Sequence, residues 1–139
     1  MRPVKGKWIF KHIQKDASVT FTNGDLVAIT AGELTTATAQ STKHLGIVMT
    51  SVTSGDSDFA SATKIAVAIT TEPSCEFEST VTGTLTTAMI GVQYDLSTAG
   101  LVNVAGTTYK VVTCKGFVST AKGKFSLNSN MDFADTTWD

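Results

Sequence analysis

The feature that most limits how this chain can fold is a turn-and-strand module that it carries twice. The first copy is Gly24-Asp25-Leu26-Val27-Ala28-Ile29-Thr30-Ala31-Gly32-Glu33-Leu34-Thr35-Thr36-Ala37-Thr38, closed by Leu45-Gly46-Ile47-Val48-Met49-Thr50. The second is Gln93-Tyr94-Asp95-Leu96-Ser97-Thr98-Ala99-Gly100-Leu101-Val102-Asn103-Val104-Ala105, closed by Lys115-Gly116-Phe117-Val118-Ser119-Thr120. Thr30-Ala31-Gly32 matches Thr98-Ala99-Gly100, and Gly46-Ile47-Val48 matches Gly116-Phe117-Val118. Each copy reads as strand, tight turn, strand, loop and strand, with Gly in the turn because it accepts positive φ. Lys64 to Thr71 is the clearest alternating strand, with Ile65, Val67 and Ile69 on one face. In the strand after it, Cys75 and Phe77 are expected inward and Glu76 and Glu78 outward. Thr84 to Ile90 reads as a single helical turn or an irregular crossing. No long run has a helical period, so the chain is all-β.

Length and composition fit that reading. A chain of 139 residues is one domain by size. Charged residues make up 17% of it and the net charge is -1, so there is no global basic surface for nucleic acid. Thr and Ser serve as polar filler, and the branched Cβ of Thr suits a pleated surface. No segment has the apolar length to span a bilayer, and Trp8-Ile9-Phe10 is too short for the core of a secretion signal. The product is expected to stay in the cytoplasm or to leave it within an assembly. Cys75 and Cys114 fall in separate strands and are expected as buried free thiols rather than a disulfide.

Catalytic chemistry is thin. The only histidines, His12 and His44, stand beside no candidate nucleophile. Cys114 next to Lys115 could make a reactive thiol, but a buried strand cysteine is the expectation. Asp56 and Asp58 are spaced like part of a calcium loop, yet the remaining ligands are missing from Thr53 to Thr63, so a solvated loop is expected. Phe59 would pin that loop to the core or to a neighbour. Glu76 and Glu78 read as a charged outer face, where no desolvation splits their pKa values. No enzyme, metal or cofactor is expected.

The two ends differ from the middle. Residues 1–16 hold Arg2, Lys5, Lys7, Lys11 and Lys15, with Trp8 and Phe10 alternating with Lys7, Ile9 and Lys11. One reading is an edge strand whose lysines discourage pairing. The other is an arm that lies on a partner through Trp8, Ile9 and Phe10. Residues 129–139 hold Asp132, Asp135 and Asp139 with Met131, Phe133 and Trp138, and no basic residue. A solvated tail would rarely need Phe and Trp, whereas a docking tail would. The opposite charges suggest that the arm of one subunit meets the tail of another.

The ordered series Gly24-Asp25-Leu26-Val27-Ala28, Gly32-Glu33-Leu34, Leu45-Gly46-Ile47-Val48, Ile65-Ala66-Val67-Ala68, Tyr94-Asp95-Leu96, Gly100-Leu101-Val102 and Gly116-Phe117-Val118 resembles small capsid decoration proteins of tailed bacteriophages, also called head-stabilising or cement proteins. The similarity spans about Phe21 to Asn128. It implies a compact β-barrel on the outside of an icosahedral shell, often a trimer at local three-fold axes, and no catalysis. The expectation is therefore a small β-barrel with an internal pseudo-repeat: arm 1–16, barrel 17–128 and tail 129–139. Its partner would be the major capsid protein, its state a homotrimer, and its place the capsid exterior after assembly in the host cytoplasm. Nucleic acid and membrane are not expected partners. Contact would run through Trp8, Ile9, Phe10, Phe133 and Trp138, and deleting Met1 to Lys15 is expected to abolish binding with the barrel still folded. The competing reading is a receptor- or glycan-binding module of a virion fibre or cell-surface protein, using Phe59, Tyr94 or Tyr109 as a sugar platform.

Overall fold

A computed structural model describes residues 1–39, 44–72 and 74–128. Its strands are β1 (Arg2–Lys5), β2 (Trp8–Gln14), β3 (Leu26–Thr30), β4 (Glu33–Thr36), β5 (Gly46–Val48), β6 (Lys64–Thr70), β7 (Glu76–Thr82), β8 (Gln93–Thr98), β9 (Leu101–Asn103), β10 (Val112–Ser119) and β11 (Lys122–Leu127). The uncertain stretch before β8 is a 3-10 turn at Thr87–Met89. The all-β expectation holds, and so does the barrel.

Two sheets build the molecule. In one, the order is β1-β7-β11-β10-β8-β9, and β9 returns to pair in parallel with β7 through Val81 and Val102. That pairing closes β7, β11, β10, β8 and β9 into a five-stranded barrel, with β1 added on the outside of β7. Closure satisfies backbone groups that an open edge would leave bare. The other sheet has the order β2-β6-β5-β3-β4. It curls until, among the described residues, its edges meet at a bridge between Lys15 and Leu34, beside a hydrogen bond from Gln14 Nε2 to Glu33 Oε1 at 2.9 Å.

Each sheet has its own apolar cluster, where length alone suggested one core. Phe77, Leu85, Leu96, Val102, Val112, Cys114 and Phe125 fill the closed barrel. Ile13, Phe21, Val27, Leu34, Val48, Val67 and Ile69 fill the curl of the second sheet. The join lies on β3 and β5. Leu26 and Ile47 point into the first cluster, while their neighbours Val27 and Val48 point into the second. Successive strand residues face opposite sides, so a strand between two cores is apolar on both. This is why Val48 is offset from the alternation of Leu45, Ile47 and Met49. Gly46 sits at the closest approach: a Cβ there would lie 2.0 Å from the Ala68 carbonyl oxygen.

The repeat is real in topology and shifted in sequence. β3 and β4 form a hairpin and β5 pairs on the other side of β3. β8 and β9 form a hairpin and β10 pairs on the other side of β8. The turns differ, however. Ala31 and Gly32 have φ of 52 and 84°, a two-residue turn that suits strand twist. Neither Ala99 nor Gly100 has positive φ, and that turn packs on the first copy, with the Leu26 amide donating to the Ala99 carbonyl at 2.7 Å. The match of Gly46-Ile47-Val48 to Gly116-Phe117-Val118 is corrected. Ile47 pairs with Leu26, and Val112 pairs with Tyr94, which stands where Leu26 stands relative to its turn. Gly116 falls further along β10, where the partner is Lys124 of β11.

The N-terminal segment is extended, and it is paired rather than free. Pro3 of β1 lies opposite Phe77 of β7, and β2 pairs with β6 from Trp8–Thr70 to Gln14–Lys64. The period-2 pattern thus belongs to two edge strands, one per sheet. Between them Gly6 turns the chain at φ +89°, with no room for a Cβ, which would stand 2.8 Å from Cys75 Cα. Deleting 1–15 would remove an edge strand from each sheet, so a loss of binding in that variant would not separate contact from folding. The tail, with Phe133 and Trp138, lies outside the described residues.

Candidate partner interface

The structure brings two of the three expected N-terminal contact residues together. Trp8 and Phe10 share one face of β2, and Ile9 points to the other, paired with Ile69. Trp8 is half-buried against the barrel cluster, and its indole N–H donates to the Lys5 carbonyl at 2.9 Å. That bond fixes the ring across the Gly6 corner. Phe10 is 65% exposed and Val4 37%. With Pro3, Lys5, Gly6 and Trp8 they line a groove of about 390 Å³. Sequence reasoning missed Pro3 and Val4. The available signal was Pro3 itself, since a proline near a strand marks a free edge.

The charge of this end is largely spent within the chain. Arg2 pairs with Glu78 at 3.1 Å, Lys5 with Glu76 at 3.4 Å and Lys122 with Glu78 at 3.5 Å. Glu76 and Glu78 therefore form the charged outer face expected of them. Partial desolvation raises the Glu78 carboxyl, but the hydrogen bonds and charges of Arg2 and Lys122 outweigh it and hold it below the usual range. Beside them Met1, Arg2, Glu78, Ser79, Thr80 and Lys122 line a second, polar groove of about 340 Å³.

Lys15 is not a surface residue of this end. It is fully buried, and its ammonium donates to the carbonyls of Asp58 (2.9 Å), Phe59 (3.2 Å) and Ser61. The loop that resembled a calcium site is thus held by a lysine. Its carboxylates cap turns: Asp56 accepts from the Thr53 amide at 2.8 Å and Asp58 from the Thr63 hydroxyl at 3.0 Å. Among the described residues no group of three His, Cys, Asp or Glu could hold a metal. Phe59 packs on the second cluster, so the loop is pinned to the core.

His44 is fully buried, and neither ring nitrogen has a hydrogen-bond partner among the described residues. Burial lowers its pKa to about 4, which keeps the imidazole neutral near pH 7. Cys75 and Cys114 are free and buried, and burial pushes the Cys114 thiol up, against the reactive form. Of the three aromatic residues considered for a sugar platform, Tyr94 lies in the barrel core and Phe59 is half-buried, which leaves Tyr109 exposed. Ile90, which follows the 3-10 turn, and Phe117 and Val118 of β10 are exposed as well. Among the described residues no helix is long and apolar enough to cross a membrane. The chain matches no protein-family model and no curated protein sequence.

Proposed function

We propose that this protein is a virion structural protein that binds the outer surface of an icosahedral phage capsid and stabilises the lattice of the major capsid protein. The observation that supports this reading is the groove of Pro3, Val4, Trp8 and Phe10 on a closed barrel body. An aromatic residue left in water at the free edges of two sheets costs hydrophobic free energy unless something covers it. Exposed aromatics of this kind are the anchors that dominate protein interfaces. The body behind them is closed and rigid, so little order is lost on docking. On a shell, modest contacts are multiplied by symmetric repetition, and a homotrimer at a local three-fold axis would multiply them further. Such a protein takes its place on the capsid exterior after assembly in the host cytoplasm, with neither nucleic acid nor membrane as a partner.

The test uses a point substitution, because the segment is built into both sheets. Phe10→Ser changes a mostly exposed side chain and should leave the thermal unfolding midpoint close to that of the parent. It should cut occupancy of shells assembled without the protein by about tenfold or more, the scale of a lost anchor. Full occupancy by a folded Phe10→Ser variant would sink the reading.

A further inference from the structure

We propose that the groove of Pro3, Val4, Lys5, Gly6, Trp8 and Phe10 is the seat of the chain's own residues 129–139, docked in cis. Three observations lead there. The first is position. β1 and β11 flank β7 and both run antiparallel to it, with Pro3 and Phe125 opposite Phe77 on either side. They therefore end at the same end of the sheet, β1 at the Gly6 corner and β11 at Leu127. Two strand spacings separate them, roughly 10 Å. Residues 129–139 span up to about 36 Å when extended, so the groove is well within reach of Asn128.

The second is composition. This segment holds Met131, Phe133 and Trp138, the apolar groups that an uncovered groove lacks. In an extended strand Met131 and Phe133 would share one face, with Asp132 on the other. The third is charge. Among the described residues that line the groove the one charged side chain is Lys5, which stays largely exposed beside Glu76 at 3.4 Å. Asp132, Asp135 and Asp139 complement that cation, and no basic residue of 129–139 opposes it. Docking in cis joins the two sets of aromatic residues into a single surface next to Phe10. It replaces the exchange of arm and tail between subunits that opposite charge alone suggests. The docking concerns the free chain and stands whether or not the protein binds shells.

Hydrogen exchange on the full chain, free of shells, tests it. In a variant with M131S, F133S and W138S, the amides of residues 4–10 should exchange about tenfold faster than in the parent, since the covering segment has lost its anchors. Phe10→Ser should speed the same amides, and both variants should keep the parent's exchange in β10 and β11. In the parent, protection of residues 4–10 should not change with protein concentration. Equal exchange in the parent and the triple variant would overturn the proposal. Protection that grows with concentration would overturn it too, by assigning the groove to a second copy. Shell occupancy is measured separately, so either reading can fail alone.

Discussion

The two halves of the molecule each hold an irregular loop with one buried charge, and the charges are opposite. In the curled sheet, Lys15 aims its ammonium at three carbonyls of the loop at 58–61. In the closed barrel, Asp95 accepts the amides of Thr108 (3.0 Å), Tyr109 (2.7 Å) and Lys110 (2.8 Å). A turn that converges its carbonyls needs a donor at the centre, and one that converges its N–H groups needs an acceptor. Burial makes either ion costly unless it is satisfied in this way. The difference lies in reach. Asp95 holds a loop only 13 to 15 residues away, within its own module. Lys15 spans 43 to 46 residues and sits where β2 and β4 meet, so its charge ties a distant loop to the strand at that bridge. The barrel closed by a strand pair uses its charge to order a loop. The sheet without that pair uses its charge to anchor a distant loop at the strand where its edges meet.

The largest expected effect tests the join between the halves. Gly46→Ala puts a Cβ against the backbone of Ala68, which cannot move aside as a side chain could. It should cost about 4 kcal/mol or more and loosen both clusters together. Gly32→Ala, at φ +84° in open space, should cost about 1 kcal/mol. Equal urea midpoints for the two variants would show that the join is not the tight point. Next come the two charges. Lys15→Met should cost about 3 kcal/mol, with faster exchange and proteolysis confined to residues 53–63 and the β2 edge. Asp95→Asn should cost about 1–2 kcal/mol and affect residues 105–110. The same loss in both variants, or the same region affected, would break the contrast drawn between them.

The smallest effect is a pH dependence in the curled sheet. The folded pKa of His44 lies near 4, below its ordinary 6.5. The unfolded chain therefore binds the proton more readily. Stability is full above pH 6.5 and falls as pH drops from 6.5 towards 4, by about 1 kcal/mol at pH 5.5. His44→Leu should flatten this limb of the stability curve. An unchanged acid limb in that variant would assign it to other groups.

Much of the fold was legible because its signals are local. The period-2 runs at Ile65–Val67–Ile69 and Cys75–Phe77 put the expected faces inward, and the repeated Thr-Ala-Gly turns mark two hairpins of one topology. The Gly116 match failed because a short glycine motif carries no register. Pairing is set by what each strand packs against, and Tyr94 takes Val112 rather than a residue near Gly116. At the candidate interface, Trp8 and Phe10 could be found from their alternation with lysines. The roles of Val4 and Pro3 could not, since they depend on the Gly6 corner that carries the chain from β1 in one sheet to β2 in the other.

By itself, the sequence determined the all-β class, the twin hairpins and the outward carboxylates. Each rests on alternation or on a turn residue, and both act over a few neighbours. Only the tertiary structure decided that the chain has two cores, that its basic end is woven into both sheets, and that Lys15 is buried. Those outcomes depend on which strands meet across 40 or more residues, as Lys15 meets Ser61 at a separation of 46. A lysine reads as surface in any local window because its charge favours water. It is buried here because three distant carbonyls converge on the one place its side chain can reach.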